Sequence, residues 1–213
     1  MGAERAGGVG ADKIVKLNGH FAIPHEVLLC RDYRGAAGRN KVDARQNFQM
    51  FAHYNAWANG RLYDAAGELD DRAWRHDCGA FFKSMMGTLN HILVGDRVWM
   101  KRFTGEGTNP PSLDAILHED YASLRAAREA EDRRILAFAE GLDDAAVAGR
   151  FTYTTMTDLR TVSQRLAPAL SHFFNHQTHH RGQAHMILSV LGKAPPELDL
   201  IYFHRAPEGR RFA

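Results

Sequence analysis

The sequence predicts an all-α protein, a four-helix bundle with one short β element between the third and fourth helices. Three observations carry this. Apolar residues recur at helical spacing in four separate stretches. Glycine and proline clusters separate those stretches. One segment, Val147 to Leu159, alternates instead, setting Phe151, Tyr153 and Thr155 against Thr152 and Thr154.

The first helix is expected from about Ala44 to Ala66, where Phe48, Phe51, Ala52, Asn55, Ala58, Leu62 and Ala65 repeat near 3.6 residues. Gly67 stops it, and Glu68 to Gly79 reads as a polar loop. The second helix, about Phe81 to Phe103, is apolar nearly all round, which predicts burial on several sides. Gly105, Gly107, Pro110 and Pro111 break the chain. Ser112 is then positioned to cap a third helix that runs to Glu140. The charged run Arg125 to Arg134 reads as its solvated face. A short strand or hairpin follows over 147–159. The fourth helix spans about Thr161 to Leu191, with Pro168 expected to kink its first turns. An extended tail from Pro195 through Phe203 completes the domain.

Residues 1–43 differ from the rest. Seven glycines interrupt them and no period persists, so they read as a disordered extension or as upstream sequence translated from an early start. A chain beginning near Ala44 is expected to fold without them. The domain then covers 44–204, with 205–213 as a tail.

Composition narrows the function classes. Hydrophobic residues make up 45% of the 213, enough for a real core. A formal charge of +2, with no lysine or arginine run, argues against nucleic-acid binding. Cys30 and Cys78 do not make a disulfide framework and are expected to be free thiols. No apolar run approaches the ~18 residues of a membrane span. With no secretory leader evident, a cytoplasmic protein is the expectation.

The histidines are the chemically informative residues. His176 and His180 sit at i and i+4 on the fourth helix, where two imidazoles can reach one cation. There is no His-Glu-x-x-His, so the general base of a zinc protease is missing. His91 lies on the buried second helix, on a side otherwise made of Ser84, Gly87, Thr88, Gly95 and Val98. Those residues would let a neighbouring helix approach closely. His91 is thus either a third metal ligand or a core histidine bonded to a backbone carbonyl. His53 reads as a surface or capping residue.

Three stretches carry a family resemblance. They are Tyr54-Asn55-Ala56-Trp57-Ala58-Asn59, Gly87-Thr88-Leu89-Asn90-His91-Ile92-Leu93 and Asn175-His176-Gln177-Thr178-His179-His180-Arg181-Gly182-Gln183. In order and spacing the chain, from Ala44 to His204, resembles the DinB family of four-helix-bundle proteins, which is unrelated to the DNA polymerase of that name. The resemblance implies one long crossover connection and a divalent metal held by three histidines at one end of the bundle. Carried over by motif, the ligands are His91, His176 and His180; His179 points away and is left out. It also implies a frequent homodimer and a damage-inducible or stress-related setting. Family relatives include thiol-dependent transferases and isomerases, and some resemble hydrolases. The long N-terminal extension departs from the family pattern.

Three neutral imidazoles leave a coordination position open, the pattern of a catalytic site. A bound water could be acidified there, or a low-molecular-weight thiol held as thiolate. Imidazole suits Zn, Ni, Fe and Cu alike, so the metal's identity stays open. Asn90, Asn175 and Gln183 are candidates to orient rings or water. Tyr54, Trp57 and Trp99 could line a pocket or belong to the core. Asp96 is the nearest acid that could act as a base. Cys78 is too far along the chain from His91 to be a fourth ligand. The two readings are a metal-dependent enzyme acting on a small molecule, and a non-catalytic protein whose metal staples the bundle.

Overall fold

The computed structural model describes residues 43–156 and 158–213, so the expectations for 1–42, Cys30 among them, lie outside the described residues. Four long helices form the frame: α1 (Ala44–Ala66), α3 (Met85–Thr104), α4 (Tyr121–Glu140) and α6 (Leu166–Val190). Shorter helices α2 (Asp71–Arg75), α5 (Asp144–Ala148) and α7 (Leu200–Arg205) fill the connections. Strands β1 (Arg150–Thr154) and β2 (Thr161–Arg165) pair antiparallel, Arg150 opposite Arg165 and Thr154 opposite Thr161. A single 3-10 turn, Arg210–Phe212, ends the chain. The fold is an all-α bundle with a small hairpin. Among the described residues no helix is long and apolar enough to cross a membrane.

Each long helix packs on two others, in the cyclic order α1, α4, α3, α6. Side-chain pairs set the directions. His91 meets His180 and Trp99 meets His172, so α3 and α6 are antiparallel. Asp64 pairs with Arg125 and His53 with Glu140, so α1 and α4 are antiparallel too. Asp96 meets Arg128 and Thr104 meets Arg134, so α3 and α4 run parallel. Parallel neighbours need a link that travels back along the bundle. Twenty helical residues span about 30 Å, and the extended stretch between these helices is long enough to return that distance. This is the long crossover.

The core falls in three parts, two large ones and a small one of Met50, Tyr54, Ala58 and Phe203. One large part gathers Leu62, Trp74, Leu89, Ile92, Leu124 and Ile187 toward the α3 N-terminus; the other gathers Phe48, Met100, Ile135, Leu170 and Phe173 toward its C-terminus. α7 places Phe203 against Tyr54 and Trp57.

Several boundaries differ from expectation, each for a local reason. The second helix begins at Met85, not Phe81, because Lys83 adopts φ +66° and Ser84 Oγ accepts the Gly87 N–H. The third begins at Tyr121, not Ser112. Asp120 caps it through the Ser123 N–H, while Ser112 spends its hydroxyl on Asp114. The expected polar loop contains α2, capped by Asp70. Thr161 to Arg165 is the second strand rather than the start of the fourth helix. Pro168 falls in the first turn of α6, where a backbone N–H has no helical partner, so it requires no kink. The extended tail ends in α7.

Candidate metal centre

The second turn of α3 supplies His91, and successive turns of α6 supply His176 and His180. Ring centroids stand 4.4 Å apart for His91–His180 and for His176–His180, and 5.2 Å apart for His91–His176. One nitrogen from each ring lies within 4.8 Å of the others. His91 and His180 are only 8% exposed, and His176 is half-buried.

Hydrogen bonds fix which nitrogens face inward. The Leu113 carbonyl can only accept, so Nδ1 of His91, 2.8 Å away, carries the hydrogen. Nδ1 of His180 likewise donates to Gln183 Oε1 at 2.8 Å. Neutral rings bonded in this way leave a lone pair on each Nε2. Those two Nε2 atoms face each other at 3.1 Å. Two acceptors at that distance repel unless a positive centre lies between them. Two nitrogens bound to one cation at ~2.1 Å stand about 3.0 Å apart at a right angle and about 3.4 Å apart at the tetrahedral angle. The donor set therefore fits a divalent metal. A shared proton is the weaker alternative, because the rings resist protonation. Burial and then the neighbouring imidazoles push His176 down to about 3, burial pushes His180 down to about 4, and burial also lowers His91.

The backbone around the cluster is shaped to let the rings in. A Cβ on Gly95 would stand 2.7 Å from Cε1 of His176, so the glycine lets that ring lie on the α3 backbone. A Cβ on Gly87 would meet the Phe82 carbonyl at 2.1 Å. That close approach lays the Phe82 ring on His91, stacked at 3.7 Å, and edge-on to His180 at 5.6 Å. Asn90 bonds none of the three clustered imidazoles. Its Oδ1 accepts from the Leu117 and His118 N–H groups, and its amide donates to the His118 carbonyl. It thereby holds the crossover that presents Leu113 to His91.

The other expected residues divide. Gln183 bonds the His180 ring, while Asn175 is exposed and its side chain has no hydrogen bond among the described residues. Tyr54 and Trp57 pack on Phe203, whereas Trp99 lies beside His172. His53 pairs with Glu140, outside the cluster. His179 is exposed beside His180, and Cys78 is a free thiol that takes no part. Asp96 is no free base: it is fully buried, accepting from Arg128 at 2.5 Å and Gln177 at 2.9 Å. Burial pushes its carboxyl up to about 6 against the pull of Arg128.

Asp96 belongs to a buried polar layer beneath the histidines that the sequence reading missed. Arg128 and Asp132 of α4, read above as part of a solvated face, are 1% and 8% exposed. They pair with each other at 3.0 Å. Asn55 and Asn59 of α1 donate to Asp132 at 3.2 and 2.9 Å and accept from Arg181 of α6. Two arginines and two aspartates thus balance inside the bundle and join all four long helices. The available signal was position. Arg128 falls one turn after Leu124 and two before Ile135, on the buried stripe.

The comparisons agree with this architecture. The chain is similar to Protein DinB of Bacillus subtilis (strain 168), with 23% identity over 164 residues, covering 73% of this chain and 93% of that protein. The DinB family matches residues 41–210, a span that holds the whole bundle and all three histidines. On that match the chain belongs to the DinB family.

Proposed function

We propose that His91, His176 and His180 hold one divalent metal and that the protein is a metal-dependent enzyme, a thiol-dependent transferase or a hydrolase. The observation that carries this is the pair of opposed Nε2 lone pairs at 3.1 Å, with no carboxylate or thiol among the described residues in the cluster to close the shell. A divalent cation bound there would acidify a water or hold a small thiol as thiolate. The protein's own groups do the rest. Leu113 and Gln183 hold two rings in the metal-binding tautomer. Phe82 and the buried faces of α3 and α6 exclude bulk water. The low proton affinity of the rings keeps them available as ligands. The reading includes a small-molecule substrate, a cytoplasmic setting and a homodimer formed through helix faces.

Elemental analysis of the wild type beside His91→Ala and His176→Ala tests the ligand assignment. One equivalent in the parent and a loss of most of it in both variants is expected; full occupancy in both would sink the assignment. Cobalt substitution tests the open position. Added thiol should change the visible spectrum, and a spectrum unmoved by thiols, anions and pH would favour the stapling role.

A further inference from the structure

A line of rings leaves the histidine cluster along the seam where α3 and α6 pack together. His172 lies 5.9 Å from His176, Trp99 lies 5.0 Å from His172, and Tyr153 of β1 lies 5.9 Å from Trp99. Trp99 and Tyr153 are inclined at 60°, and the Arg102 guanidinium is wedged in the angle between them, 4.6 Å from each ring. Arg125, Arg128 and Arg134 each face a carboxylate. Arg102 has no ion pair or hydrogen bond among the described residues, and its Nε is buried without an acceptor. Burial disfavours its charge, against a smaller opposing pull from Tyr153, and among the described residues no carboxylate pairs with it. With its faces against rings and its Nε enclosed, the planar guanidinium has only its Nη groups to offer to an acceptor from outside.

We propose that Arg102, Trp99 and Tyr153 form an anion subsite that binds a carboxylate or phosphate group of the substrate. The substrate class is then an extended anionic molecule whose apolar body lies along Trp99 and His172. Seven helical residues separate Arg102 from Gly95, where His176 rests, so the charged end sits about 10 Å along the α3 axis from the cluster. The hairpin gains a purpose in this arrangement, since Phe151 packs on Phe103 and brings Tyr153 to the guanidinium. The proposal rests on the reading of the histidines as the reaction centre, but its test does not need the metal.

The full chain, stripped of metal by a chelator, is titrated with 4-phenylbutyrate, phenyl phosphate and uncharged 4-phenylbutan-1-ol. NMR follows the Arg102 Nε–H and the Trp99 indole N–H. Either acid should shift both signals saturably in the millimolar range, and the acid that does so names the head group. The alcohol should leave the Arg102 signal in place. Arg102→Gln should abolish the Trp99 response, and Arg102→Lys, which keeps the charge and the stem, should weaken it at least fivefold. No saturable shift with either acid would overturn the subsite. So would an equal response to the alcohol, or a Trp99 response undiminished in Arg102→Gln and Arg102→Lys. Zinc content of Arg102→Gln should equal the parent's, so the subsite and the metal assignment can fail separately.

Discussion

Gly95→Ala asks most directly whether close helix approach builds the centre. The new methyl would stand 2.7 Å from Cε1 of His176. Ordinary carbon contacts lie at about 3.5–4.0 Å, so the ring must retreat by about 1 Å. Ligand distances tolerate about 0.2 Å, so the third nitrogen cannot stay in place. For stability the two effects of the methyl oppose each other. Overpacking costs about 1–3 kcal/mol. Alanine in a helix interior returns about 1 kcal/mol over glycine. The metal-free variant should therefore melt near the parent, or at most ~2 kcal/mol less stable. Zinc affinity, measured by competition with a chromophoric chelator, should fall at least ~10-fold. Gly182→Ala is the control, because a Cβ there meets nothing within 4 Å. It should keep the parent's affinity. An affinity for Gly95→Ala within about twofold of the parent would refute the reasoning.

Two further outcomes follow from charge. The folded pKa of His176 is lowered to about 3 and that of His180 to about 4, so both rings stay neutral at pH 5. Between those values and the ordinary ~6.5 the unfolded chain binds more protons, so these groups stabilise the fold fully above ~6.5 and lose that contribution as pH falls. Zinc should stay bound on dialysis at pH 5; release with a midpoint near 6.5 would show that the rings are not desolvated. Arg128→Leu leaves Asp96 and Asp132 buried without their shared partner. It should cost about 3–5 kcal/mol, or roughly 6–20 °C in melting temperature, and a calorimetric shift under about 2 °C would refute that.

The residues show why some of this was legible and some was not. His176 and His180 are one turn apart, so that pair could be read from spacing; Gly87 and Gly95 mark the face of α3 that must admit a neighbour and made His91 a candidate, which only the family resemblance joined to the pair. The start of α4 could not. Leu113, Ile116 and Leu117 have helical spacing, but topology assigns them to the crossover, and His91 uses the Leu113 carbonyl. Thr161 to Arg165 leads directly into the apolar stripe of α6, and only pairing with β1 makes it a strand. Arg128 lies in a run of charges whose local composition resembles a wet surface. Its burial depends on Asp96, which is 32 positions away.

The crossover also sets a clock. His91 and His180 are 89 residues apart in sequence. At a synthesis rate of about 5–20 residues per second, the first imidazole leaves the ribosome about 4–18 s before the last. Until α6 emerges, His91 has neither His176 nor His180 to face its Nε2. Contacts this distant also close late during folding. The set of three nitrogens thus exists only once α6 is made: of the six histidines that precede that helix, His91 alone belongs to the cluster. A metal that needs all three nitrogens could be loaded only after the bundle has closed, so its occupancy would report on completed folding.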